Sequence, residues 1–413
     1  MIDPSLQELP VNPSTDAYPI DRIRQDVPVL HELCYLNTGT VGVMNETVLA
    51  RHLEAISHYE RYGHAGETAA REGYETGRSA FARLLNARPE EIALTRNASD
   101  GINYVVAGLD LPAGSTIVTT TEEHPAVLHP LALAARKSGV KIRMISLEDS
   151  DEELLKSFRS AVSGGDVKLA IFSHVSCETG RRLPVNDMCN ICRAYEVLSL
   201  VDAAQSLGQF PVDVQQLGCD FSTGNGHKWL CGPKGTGFLH VRTDRTDLLS
   251  PCYVGDGSVE PRFDRSQFRE NGIDDSHWAF RGDAWRFEFG TRNWHLYSAI
   301  ADAVRYQEEI GWELIYQHVD RVSTSLKQEL AARSGVTVHT PDSWADSCGI
   351  VTFSVDGWDG VQLAEELWQT HKIIQRRVQI PSGVRVSVAH YTNEQDIAQF
   401  LTALDQIRGQ ASE

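Results

Sequence analysis

Between residues 91 and 241 the chain repeats one pattern: a short apolar run, a polar break, then a longer stretch whose apolar residues recur at helical spacing. Such strands and helices can bury their apolar faces together only if the strands lie side by side with helices above and below. The pattern therefore predicts an α/β fold with a mainly parallel sheet. The strand candidates are EIALT (91–95), STIVTT (115–120), KIRMISL (141–147), KLAIFSH (168–174), VLSLVDA (197–203), CDFSTG (219–224) and GTGFLHV (235–241). Helical patterns such as PAVLHPLALAARKSG (125–139) and PVNDMCNICRAYE (184–196) fill most of the gaps. No internal repeat or low-complexity tract competes with this reading.

Beyond the last strand candidate, residues 251–285 lose periodicity and gain Gly, Asp and aromatics, as expected of a long excursion from the sheet. Excursions of that length in a compact domain are usually functional. Ile315, Val319, Val322, Leu326 and Leu330, spaced by three and four, predict one face of a long helix closed near Gly335. The tail (IVTFSV, QLAEELWQTH, VRVSVAHY, EQDIAQFLTALDQI) reads as a smaller α+β unit. The expected organisation is a flexible arm over 1–20, a large domain over 21–295 and a small C-terminal domain over 296–413.

Composition narrows the partners. At 413 residues and 41% hydrophobic, the chain can bury a large core in two domains. A net charge of -18 without any Lys/Arg run argues against nucleic acid and anionic membrane surfaces. No apolar run reaches the roughly 20 residues that cross a bilayer, and the polar, proline-rich start does not read as a secretion signal. A cytoplasmic protein is expected. The eight cysteines are scattered, which suggests reduced thiols. Cys189 and Cys192 read as two thiols one turn apart on a helix; with no second pair or His cluster to complete a zinc set, no metal site is expected.

In a doubly wound sheet, ligands sit beyond the carboxyl ends of the strands. Four polar strand ends stand out: Thr95 to Asp100, Glu122 to Pro125, Asp202 to Gln205, and Thr223 to Lys228. The strongest is STGNGHKWLCGPKGTGFL, a lysine preceded by Gly and His and followed by a Gly/Pro-rich hairpin, downstream of LVDAAQS. Lysine can both form a Schiff base and shuttle a proton at a substrate α-carbon, and a strand-end Asp suits a protonated pyridine nitrogen. Pyridoxal 5'-phosphate (PLP) chemistry requires both.

The whole run LVDAAQSLGQFPVDVQQLGCDFSTGNGHKWLCGPKGTGFL resembles the class V aminotransferase group of fold-type-I PLP-dependent enzymes. That group holds cysteine desulfurases, cysteine/cystine carbon-sulfur lyases, isopenicillin N epimerases and kynureninases. The likeness extends from YLNTGTVG through TRNASDGIN, TEEHPA and FEFGTRN to VRVSVAHY. It implies a large domain with a mainly parallel seven-stranded sheet, a smaller α+β domain, and PLP as cofactor. Lys228 matches the Schiff-base lysine, Asp202 the partner of the pyridine nitrogen, His124 the histidine stacked on the ring, and Gln205 the residue bonded to the 3-oxygen. Ala98 and Ser99, opening a helix where donors and dipole favour an anion, match the phosphate cup with His227 and Asn225; Ser or Thr is usual in place of Asn225. Thr291 resembles the residue that reaches the phosphate from a second subunit, implying a homodimer with shared sites. Arg385 matches the arginine for the substrate carboxylate, and Arg376 resembles the second arginine of the carbon-sulfur lyases, with adjacent Arg377 as an alternative. Gly39 and Thr40, in the turn from Asn37 to Gly42, are expected to line the same pocket with backbone groups.

Two departures bear on the reaction. Desulfurases carry a nucleophilic cysteine on a loop ahead of the final arginine strand, whereas the last cysteine here, Cys348, belongs to the apolar run CGIVTFSV and reads as core. The segment SHVSCETG offers Cys177 and Glu178 where many relatives place an Asn near the cofactor oxygen. His174, His240 and His318 read as structural, and Trp229 as packing. The expected activity proceeds on an α-amino acid through an external aldimine and α-carbanion to β-elimination, cleaving a carbon-sulfur bond in a cysteine or S-conjugated cysteine. Epimerisation or transamination of the amino-acid moiety of a larger metabolite uses the same groups; a desulfurase or a silent PLP-fold protein agrees less well with the residues.

Overall fold

The computed structural model describes residues 18–147, 150–260, 266, 269–270 and 279–410. Its centre is a seven-stranded sheet: β1 Ile92–Thr95, β2 Thr116–Thr120, β3 Lys141–Ile145, β4 Val167–Ser173, β5 Leu198–Asp202, β6 Phe221–Asn225 and β7 Gly237–Val241. The spatial order is β1-β7-β6-β5-β4-β2-β3, parallel throughout except that β7 runs against both of its neighbours. Every expected strand is present. The inner strands are covered on both faces, which is why they read as apolar runs without alternation.

Helices α1 (Glu46–Tyr62), α2 (Glu67–Leu85), α3 (Ala98–Gly108), α4 (Pro125–Ser138), α5 (Asp151–Val162) and α6 (Val185–Ala194) accompany the sheet. Strand residues alternate between two apolar layers. Ala93, Ile117, Leu169, Leu200 and Leu239 join Ile102 and Val105 of α3 and Val127 and Leu131 of α4, while Leu94, Val118, Phe172, Val201 and Phe238 join Phe81, Phe158 and Met188 on the other side. Cys189 and Cys192 lie on α6 and face this second layer.

Helices α7 (Trp294–Ile310) and α8 (Trp312–Ala331) lead to a four-stranded antiparallel sheet. Its strands are β8 Val336–Val338, β9 Ile350–Val355, β10 Arg376–Val378 and β11 Gly383–Ser387, in the order β8-β9-β11-β10. Helices α9 (Gly360–Gln369) and α10 (Glu394–Gln410) complete the tail. The five apolar residues expected on the long helix are all buried on α8.

Three features bear on the expected organisation. Residues 1–17 of the expected arm lie outside the described residues, but Tyr18 is anchored: its hydroxyl donates to the His390 carbonyl at 2.6 Å and its ring stacks on His318. Arg24 pairs with Asp396, and Cys34–Tyr35 pairs in parallel with Ile373–Ile374, so the N-terminal segment joins the C-terminal tail. Helix α7 crosses the expected boundary at 295/296 and packs against α1 and α2. Within the 251–285 excursion the described parts include a two-stranded antiparallel ribbon of Val259–Glu260 with Ala279–Phe280; 261–265, 267–268 and 271–278 lie outside the described residues.

Candidate active site

The carboxyl ends of β1, β2, β4, β5 and β6 converge on one cleft of about 230 Å³. After β1, Asn97 caps α3, its side chain accepting from the Asp100 amide at 3.1 Å, and Ala98 and Ser99 line the cleft. Asn225, at the end of β6, accepts from the Ala98 amide through Oδ1 at 3.0 Å. The amide's acceptor end is thereby engaged and its donor end left for a ligand.

After β2 comes His124, whose Nδ1 accepts from the Ala126 amide at 3.1 Å as the N-cap of α4. That bond requires the ring proton on Nε2. Burial, reinforced by the positive charge of Lys228 and then of Arg376 and Arg385, holds the imidazole down at about 4, so it is neutral at physiological pH. Glu123, beside it, is buried and accepts from Thr120 Oγ1 (2.8 Å), Ser173 N (3.0 Å) and Ser173 Oγ (2.6 Å). Burial nevertheless raises its carboxyl to about 7.

Asp202 ends β5, and its Oδ1 accepts from the Ala204 amide at 2.8 Å. Burial raises its carboxyl while the Lys228 charge opposes that shift. Lys228 is half-buried at the cleft wall; desolvation depresses its amine to about 8, with Asp202 pulling the other way. An amine depressed to that range is mostly protonated at neutral pH but keeps a larger neutral fraction than an ordinary lysine, and the neutral form can act as nucleophile and base. The lysine segment is clamped from above by the turn at Asn37 to Gly42. Gly42 N donates to the His227 carbonyl at 2.8 Å and Lys234 Nζ donates to the Gly42 carbonyl at 3.1 Å. A Cβ at Gly42 would lie 2.1 Å from the Lys228 carbonyl oxygen, so only glycine fits.

The other wall is the β10–β11 pair, where Arg376 sits directly opposite Arg385. Arg385 is 1% exposed; its Nη1 donates to the Cys177 carbonyl at 2.6 Å and its Nη2 to Thr40 Oγ1 at 3.0 Å, while Nε is buried with no acceptor. Burial lowers this guanidinium to about 10, still a cation at neutral pH. Arg376 lines the cleft and Arg377 is exposed, since neighbouring strand residues point to opposite faces. Among the described residues neither Arg376 nor Arg385 forms a salt bridge with a carboxylate.

Of the residues expected at the site, Gly39, Thr40, Ala98, Ser99, His124, Asp202, Gln205, Asn225, His227, Lys228 and Arg376 line this one cleft. Arg385 stands immediately behind it through its bonds to Thr40 and Cys177. Thr291 is exposed, in the loop before α7, outside the cleft lining. Sequence reasoning gave Glu123 and Ser173 no role of their own and read Trp229 as packing. Glu123 adjoins the histidine of TEEHP, which is a usable signal. Trp229 carries none, yet its Nε1 donates to Gln205 Oε1 at 2.9 Å.

These residues fit PLP. An amine and a buried carboxylate line the same cleft, His227 Nδ1 is a buried polar atom with no partner among the described residues, and a helix N-terminus opens beside it. A mainly parallel sheet gathering this set at its strand ends defines a fold-type-I PLP-dependent enzyme. More narrowly, the chain belongs to the aminotransferase class-V family, whose model matches residues 43–400. It is 31% identical to isopenicillin N epimerase of Streptomyces clavuligerus over 346 residues, covering 81% of this chain and 84% of that one. It is 27% identical to a probable cysteine desulfurase of Pyrococcus abyssi, over 93% of this chain and 96% of that one. Among solved structures, the apo cysteine desulfurase of Thermococcus onnurineus superposes with a TM-score of 0.84 (27% identity, 96% and 100% covered). A mutant of C-DES with glycine covalently linked to its PLP cofactor superposes with a TM-score of 0.82 (26% identity, 92% and 98% covered).

Proposed function

We propose that this PLP-dependent enzyme cleaves a carbon-sulfur bond by β-elimination, with water releasing pyruvate and ammonia together with hydrogen sulfide from cysteine or a thiol from an S-conjugated cysteine. The observation that carries the choice is the state of its cysteines. Cys348 is fully buried and donates to the Gly180 carbonyl, and the Cys177 thiol, which does line the cleft, is pushed up to about 12 by burial. Neither is a ready thiolate to receive sulfur, so elimination to a free thiol agrees better with these residues than transfer to the protein. The similarity to C-DES, described in complex with cysteine persulfide as a cystine C-S lyase, supports the same branch.

When bound, PLP supplies an electron sink for the bonding pair left at the substrate α-carbon. Lys228 is assigned to remove the α-proton, for which its depressed pKa keeps a neutral fraction near pH 8. Asp202 holds positive charge at the pyridine nitrogen, and neutral His124 packs against the ring. Ser99, His227 and the donor end of Asn225 hold the phosphate. Arg385 takes the α-carboxylate as a planar fork, with Arg376 across the strand pair as second cation and Gly39 and Thr40 closing the turn. Thr291, exposed on one subunit, is assigned to the phosphate of a partner in a homodimer. A second reading, epimerisation, rests on the 31% identity to isopenicillin N epimerase. Incubating the holoenzyme with cysteine S-conjugates tests both: pyruvate release is expected, whereas α-proton exchange with solvent and inversion without pyruvate would replace elimination by epimerisation.

A further inference from the structure

Gln205 has an amide whose two ends look alike in shape but differ in chemistry, and the surrounding bonds decide which end faces which neighbour. Its Oε1 accepts from the Trp229 indole at 2.9 Å, and its Nε2 donates to the Gly39 carbonyl at 2.9 Å. The indole N–H can only donate and the carbonyl can only accept, so both neighbours select the same orientation. One N–H of Nε2 remains, on a side chain that lines the cleft. Trp229 and Gln205 are each 4% exposed, so water does not offer either group an alternative partner.

We propose that Trp229 is a positioning residue that makes Gln205 a hydrogen-bond donor toward the cofactor's phenolic oxygen. This rests on the assignment of a PLP site to this cleft. The same contacts reach the substrate side. Gly39 N donates to Ser387 Oγ at 3.2 Å, Ser387 ends the strand that carries Arg385, and Arg385 Nη2 donates to Thr40. Trp229 itself is held from behind by Gln307, whose Nε2 donates to the Trp229 carbonyl at 3.1 Å. One side chain next to the reactive lysine thus fixes the polarity of the cofactor wall and braces the turn in front of the carboxylate arginine.

The test is a double-mutant cycle on the full-length holoenzyme with Trp229→Phe and Gln205→Leu. It reads the cofactor's visible absorption maximum and its dissociation constant by dialysis. Trp229→Phe is expected to shift the band and weaken cofactor retention roughly tenfold, the loss of one oriented bond to a charged acceptor. Neither readout should move further when Gln205 is already Leu. If the Phe variant does not fold, replacing the Trp229 indole with benzothiophene keeps the two-ring shape and deletes only the N–H. A lowered melting temperature with unchanged band and affinity would reduce Trp229 to packing and overturn the proposal, as would equal losses in both Gln205 backgrounds. An unchanged Gln205→Leu single variant would instead remove Gln205 from the cofactor site, and the proposal with it.

Discussion

Replacing Arg385 with Lys separates recognition of a carboxylate from everything else the cleft does. The guanidinium has five N–H donors; one Nη1 donor is engaged by the Cys177 carbonyl and one Nη2 donor by Thr40. That leaves Nε–H, which has no acceptor, and one N–H on each terminal nitrogen for a ligand. A lysine ammonium has three donors on a single atom. If it keeps the two protein bonds, one remains, and the parallel pair that a carboxylate accepts from a fork is gone. Losing one charge-assisted hydrogen bond costs about 2 kcal/mol, or roughly thirtyfold in affinity. The residues assigned to the cofactor lie elsewhere in the cleft, so Arg385→Lys should retain the visible spectrum of the bound cofactor. Spectrophotometric titration with an amino-acid substrate measures the loss. Unchanged affinity would mean that the carboxylate is held elsewhere and that the substrate has been placed wrongly.

Borohydride reduction followed by tryptic mapping should place the cofactor on Lys228; label on another lysine would refute the assignment. Asp202→Ala should keep cofactor bound but slow turnover by more than roughly a hundredfold, because the ring nitrogen loses the charge that keeps it protonated; near-normal kcat would refute the role. Burial lowers the Lys228 pKa to about 8, so the amine of the cofactor-free protein is neutral above that pH and protonated below it. Cofactor capture followed by stopped-flow absorbance should accelerate as pH rises through about 8 and level off above, whereas a midpoint near the ordinary lysine value would contradict the burial argument. Gly42→Ala should damage cofactor binding, since its Cβ would meet the Lys228 carbonyl at 2.1 Å; retention of full cofactor affinity would show that the turn is not a clamp.

The strands were legible because each is buried on both faces and so reads as an unbroken apolar run between polar breaks. The placement of Lys228, Asp202 and His124 at one cleft was legible because each lies at or a few residues beyond the end of such a run, and the fold then brings the ends together. What stayed hidden depends on contacts between residues distant in the chain. Whether Arg376 or Arg377 enters the cleft turns on the register of β10 against β11, since strand neighbours face opposite ways. The union of Cys34–Tyr35 with Ile373–Ile374 links segments more than three hundred residues apart and leaves no local pattern in the sequence. Trp229 reads as an apolar residue after a lysine. Only the folded chain shows its N–H meeting Gln205.

His124 and Asn225 show why a capping role and a cofactor role need not compete. A histidine before a helix is often only a cap, and His124 does cap α4 through Nδ1. That bond, however, assigns the proton to Nε2, while burial and the nearby cations hold the ring neutral, so the cap fixes the tautomer of the group proposed to face the cofactor. Asn225 extends the argument to the departure from Ser or Thr. Had its oxygen been free, an amide could have turned either end to the phosphate; with Oδ1 engaged by the Ala98 amide, only its donor end is available. The exchange withdraws one helix N–H from the anion and returns side-chain donors in its place. A hydroxyl at this position could accept from Ala98 only while offering a single proton to the phosphate. On the proposed assignment the Asn would preserve the electrostatic character of the phosphate cup while changing which atoms supply it, and Asn225→Asp, which removes the donors and adds a negative charge, should release the cofactor far more readily than Asn225→Thr.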